Sequence, residues 1–148
     1  MIERLLLFSF TSVVGINLAA EKEVDFNQHI RPILSNKCFA CHGPDEKGRK
    51  AKLRLDMRES AIADHGGIRA IAPGKPAQSE LISRINHSDP EERMPPEDSE
   101  HQLTATERSL LEAWIKAGAE YQAHWAFVSP SRAPLPGVSN AEWPGNAI

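Results

Sequence analysis

Cys38-Phe39-Ala40-Cys41-His42 is the stretch on which the reading of this chain turns. It spells Cys-x-x-Cys-His, the attachment signature of c-type haem. Two thiols three positions apart on a helical turn can each add to one haem vinyl group, and the adjacent imidazole can reach the iron from the proximal side. The chain has 2 cysteines, and the motif uses both. No thiol remains for a second haem of this kind, an iron–sulfur cluster or a four-cysteine zinc site. One covalently held haem c is therefore expected, with Cys38 and Cys41 as its attachment points and His42 as an iron ligand. The first rival is a disulfide, which an exported Cys-x-x-Cys pair would tend to form. A disulfide has no need of the histidine that follows.

The residues before the motif divide in two. Met1 to Arg4 carries a basic residue, and Leu5 to Ala20 then runs without a charge, ending on small residues before Glu21-Lys22-Glu23. That pattern predicts a secretory signal peptide over residues 1–20, with an uncleaved membrane anchor as the alternative. The run is short for a bilayer span. Export to the periplasm or beyond follows, and it suits haem attachment, which in bacteria takes place after export. Over residues 25–36 Asp25 is a candidate N-cap, and Phe26, Ile30, Ile33 and Leu34 form one apolar stripe of a short helix. Pro32 predicts a kink or an early end.

After the motif, residues 43–75 show little periodicity. Gly43-Pro44-Asp45 reads as a turn, and residues 58–63 as one or two helical turns broken by His65-Gly66-Gly67. Pro76 can open a helix whose apolar face is Leu81, Ile82 and Ile85, ending before Asp89-Pro90. The clearest helix begins at Thr104, where Thr104 and Glu107 fit a capping box. Its buried stripe is Leu110, Leu111, Trp114 and Ile115, and Gly118 is its natural stop. Trp114 is expected near the haem edge. Residues 123–148, rich in proline, read as a linker or truncated junction. The domain proper is thus placed at residues 21–122, an all-α fold with long irregular loops around one haem.

A low-spin electron carrier needs a second axial ligand. Met57, Met94, His29, His65, His87, His101 and His124 are the candidates. Met94 is favoured, because the prolines after it restrict the loop that would present its thioether, and a Met–His pair raises the haem potential. His65, beside two glycines, is its main histidine rival, and Met57 sits in a charged stretch. The alternative for Met94 is a flexible gap-filler.

Composition narrows the function further. The chain has 148 residues, 41% of them hydrophobic and 25% charged, with a formal net charge of −3. That fits a soluble globular protein. No nucleic-acid motif is present. The densest basic stretch, Lys47, Arg49, Lys50, Lys52 and Arg54, reads as a solvated loop, with a partner-docking patch as the alternative.

Several segments together resemble a known family. Ile33-Leu34, then Cys38 to Pro44, then Leu53-Arg54-Leu55-Asp56, Pro73-Gly74, Ser79-Glu80-Leu81, Met94-Pro95-Pro96 and the run Leu111 to Ala119 are similar, in that order, to the planctomycete-type cytochrome c domain. The likeness covers residues 24–120. It implies thioether attachment at Cys38 and Cys41, His42 as proximal and Met94 as distal ligand. His124-Trp125-Ala126-Phe127 also looks like the junction after which large secreted planctomycete proteins continue into further domains. Those C-terminal domains would be partners absent from this chain.

The expected activity is outer-sphere electron transfer by a single-haem cytochrome, without bond chemistry on a substrate. The rivals are a haem enzyme module with an open distal position, a haem-free thiol–disulfide protein, and a binding module in which haem is only a structural staple. The redox partner protein is not legible in the sequence.

Overall fold

The computed structural model describes residues 24–127, 129 and 130. The expected signal peptide and most of the expected linker lie outside the described residues. Within them the regular structure is helical, and the one β-type pairing is an isolated bridge between His65 and Ile68. The α-helices are α1 (Arg31–Lys37), α2 (Phe39–His42), α3 (Arg58–Ile62), α4 (Glu80–Ile85) and α5 (Ala105–Lys116).

The first element enters as a π-helical turn, Phe26–Ile30, which runs directly into α1. Asp25 caps it, its carboxylate accepting from the Gln28 N–H at 2.7 Å. The cap is reciprocal, since the Asp25 N–H donates to Nδ1 of His29 at 3.0 Å. His29 is thereby committed to capping. The widened turn falls just before Pro32, which has no N–H to continue a regular ladder. The expected irregularity is thus a change of helical register rather than an early end. It keeps Phe26, Ile30, Ile33 and Leu34 on one face, all buried.

That face packs on α5, whose start is fixed by the expected capping box. The Thr104 hydroxyl accepts from the Glu107 N–H at 3.2 Å, and the Glu107 carboxylate accepts from the Thr104 N–H at 2.7 Å. Leu111, Trp114 and Ile115 are buried. Trp114 is 2% exposed. Its ring lies 5.6 Å from Phe26 and 5.2 Å from Tyr121, and Phe26 and Tyr121 are 4.7 Å apart. Its partners among the described rings are therefore these two aromatics, between the first element and the chain after α5. Gly118 ends the helix at φ 113°, as a residue without Cβ can. Ala119 follows at φ 51°, which its sequence did not announce, and its N–H donates to the Trp114 carbonyl at 3.0 Å.

The long connection is irregular, and its main chain finds partners both within the loop and on α5, as a partly buried loop requires. The Ile71 N–H donates to the Ala61 carbonyl at 2.9 Å, and the Gly74 N–H to the Ile115 carbonyl at 2.8 Å. Buried Ser79 accepts the Ala72 N–H on its hydroxyl at 2.9 Å. Past Pro76 the chain makes one 3-10 turn, Pro76–Gln78, becomes extended at Ser79, and only then starts α4. Leu55, Ala61, Ile71, Leu81, Ile85 and Leu103 complete one core with the α1 and α5 stripes.

Candidate functional site

Cys38, Cys41 and His42 stand on one short turn. Cys38 caps α2, and its carbonyl accepts from both the Cys41 N–H (3.1 Å) and the His42 N–H (2.8 Å). A helix of four residues has no interior, so its last carbonyls need partners from outside. The loop after the motif supplies them. The Lys50 N–H donates to the Cys41 carbonyl at 2.7 Å, and the Leu55 N–H donates to the His42 carbonyl at 2.8 Å. Gly43 makes the return possible. A Cβ there would lie 2.3 Å from the Phe39 carbonyl oxygen, a backbone atom that cannot step aside.

Both cysteines are free thiols, and they differ in setting. Cys41 is exposed. Cys38 is partly buried and packs against the rim of the core. Burial, then the neighbouring Cys41, then Glu107 in the first turn of α5 push the Cys38 thiol up to about 12. Cys38 is therefore a protonated thiol at neutral pH.

His42 is half-buried, and its Nδ1 is buried with no hydrogen-bond partner among the described residues. Desolvation holds its pKa below the ordinary histidine value, with the Lys50 main chain a weaker opposing influence. That main chain makes no well-formed hydrogen bond with Nδ1. A neutral imidazole keeps a ring-nitrogen lone pair available for a metal. No group of three or more His, Cys, Asp or Glu among the described residues converges as a metal-ion site. This chemistry fits haem: two thiols that can be attached separately and one neutral imidazole beside them.

Met94 is on the loop between α4 and α5, 37% exposed. Its N–H donates to the Arg84 carbonyl at 3.0 Å, and the following Pro95 is buried, so the loop is anchored on both sides of the thioether. No hydrogen bond joins its sulfur to His42 among the described residues. A depression of about 470 Å³ on the same loop is lined by Pro90, Glu91, Pro96, Glu97 and Asp98, not by motif residues. Met57 is 41% exposed at the start of α3. His65 is exposed and belongs to the small bridge with Ile68. Sequence reasoning gives Tyr121 no role, yet its hydroxyl reaches the carbonyl of Leu55, whose N–H holds the motif. A lone tyrosine after a helix stop carries no local signal for that.

Residues 38–98 match the family model described as Planctomycete cytochrome C. The match begins at the first motif cysteine and ends just past Met94. The α1 and α5 stripes lie outside it, yet they pack on Leu55, Ile71, Leu81 and Ile85 inside it. No curated protein and no solved structure matches the chain.

Proposed function

We propose, from the premise that residues 38–98 are those of a planctomycete cytochrome c, that this chain is a single-haem c-type cytochrome and carries electrons by outer-sphere transfer. The observation that supports it most is the motif turn: two free thiols and a half-buried neutral imidazole on one helical turn whose carbonyls are pinned by the following loop. Bound haem would supply the one-electron Fe(III)/Fe(II) couple. Cys38 and Cys41 would hold it covalently. His42 would be one axial ligand, kept neutral by its burial. Met94 would be the second, supported by its exposed thioether on an anchored loop and by its place within the matched residues. The surrounding protein orients the ligands and limits water, which sets the potential. In this reading the chain is a carrier rather than an enzyme. Export and haem attachment outside the cytoplasm belong to the same proposal. No helix among the described residues is long and apolar enough to cross a membrane.

The test is expression with a haem-maturation system. Intact mass should rise by one haem, and the haem should stay with the chain through acid–organic extraction. Cys38→Ser should leave at most one thioether. Met94→Ala should remove the sulfur-to-iron band of the oxidised form, open the sixth position to added ligands and lower the potential. Should His65→Ala, and not Met94→Ala, convert the oxidised spectrum to high spin, the Met94 assignment is wrong.

A further inference from the structure

We propose that Tyr121 is a positioning residue for His42, acting through Leu55; this rests on the reading of His42 as an axial ligand. The Tyr121 hydroxyl donates to the Leu55 carbonyl at 2.9 Å. The N–H of the same leucine donates to the His42 carbonyl at 2.8 Å. Leu55 is 4% exposed and is gripped from both ends, by the tyrosine on one side and the motif on the other.

Tyr121 is well placed to hold that grip. Its ring packs on Phe26 and Trp114. The residues on either side are fastened: the Trp114 indole N–H donates to the Glu120 carbonyl at 2.9 Å, and the Arg31 guanidinium donates to the Gln122 carbonyl at 2.7 Å. Its pKa lies above the ordinary tyrosine value, chiefly because it is buried, so the hydroxyl remains a donor at physiological pH. On the other side, α2 is only four residues long: the Cys38 carbonyl holds the His42 N–H, but the His42 carbonyl has no partner within the helix and takes the Leu55 N–H. The carbonyl side of His42 is therefore held by Leu55, and the carbonyl of Leu55 by Tyr121. The chain leaving the core after α5 thus helps to set the imidazole, although it lies far from the motif in sequence.

The test compares haem-loaded wild type with Tyr121→Phe, which keeps the ring and removes the hydroxyl. Amide hydrogen exchange at Leu55 should speed up by about fivefold, the effect of one lost neutral hydrogen bond. The amides of Lys50 and Leu111 should keep their wild-type rates. The electron paramagnetic resonance g-values of the oxidised haem should shift as the imidazole turns. If Leu55 exchange is unchanged, or rises only in step with Leu111, the hydroxyl is no positioning group. Unchanged g-values overturn the proposal equally. A wild-type protein without covalent haem overturns the cytochrome reading and the ligand role of His42 with it. That outcome is seen before any variant is compared.

Discussion

At the scale of single residues the motif is asymmetric, and the asymmetry can be measured in the haem-free chain. Cys41 is exposed, while Cys38 is partly buried with its thiol pushed up to about 12. The reactive species is the thiolate. Iodoacetamide at about pH 8 should therefore label Cys41 first, with Cys38 slower by at least about tenfold. Peptide mass spectrometry at short times checks it; equal labelling would mean the turn is open. His42 carries a second prediction. Its pKa is depressed in the fold, mainly by desolvation, so between the folded and unfolded values the unfolded chain binds more protons. Its contribution to stability is present above the unfolded value of about 6.5 and is lost as pH falls below it. Denaturant melts of the haem-free chain should show this loss well above the range in which carboxylates such as Asp56 and Glu107 titrate, and His42→Gln should flatten it. A stability that stays level from about pH 7 to 5 would mean that His42 is solvated.

At the scale of elements the division between what was legible and what was not follows the range of the interactions. The α5 capping box, the Asp25 cap and the apolar stripes are carried by residues within one or two turns of each other, and the structure contains them, with Leu110 and Ile82 only partly buried at the stripe edges. The register change at Pro32 was half legible, because proline announces a broken ladder without saying how the helix answers. Leu55, an isolated apolar residue in a basic stretch, is a core residue, and only the tertiary fold decides that. The pinning of the motif carbonyls by Lys50 and Leu55, and the positive φ of Ala119, likewise depend on partners far off or on the closing of the whole loop. The capping box itself yields a test. Thr104→Ala removes the acceptor of the Glu107 N–H and frees the Glu107 carboxylate from its fixed place. It should cost about 1 kcal/mol, or about 4–8 °C in the thermal midpoint of a domain this size. Thr104→Ser should keep most of that stability. A Thr104→Ala midpoint equal to wild type would show that α5 is held by packing alone.

At the scale of the whole molecule, charge is unevenly spread. Lys47, Lys50 and Lys52 are exposed on the loop that closes over the motif, and none of them takes part in an ion pair among the described residues. Around Met94 the sign is reversed, with Asp89, Glu91, Glu92, Glu97, Asp98 and Glu100. Arg84 and Arg93 offset part of that acidity, pairing with Glu92 and Glu97. The formal net charge of −3 says that a small anion should be repelled, and that added salt should speed its reaction. The local arrangement says the opposite if electrons leave beside exposed Cys41, because a reagent within one Debye length of the surface feels the lysines before it feels the far side. We expect the local charges to decide. Electron exchange between the haem-loaded protein and ferricyanide should slow as ionic strength rises from about 0.01 to 0.15 M, over which the screening length shrinks from about 30 to about 8 Å. Cationic hexaammineruthenium should show the opposite trend or none. The triple variant Lys47→Gln, Lys50→Gln, Lys52→Gln should turn the ferricyanide trend around without changing the optical spectrum. A wild-type ferricyanide rate that climbs with salt would place the exchanging edge on the acidic Met94 side, and the lysines would then be a solvated loop and nothing more.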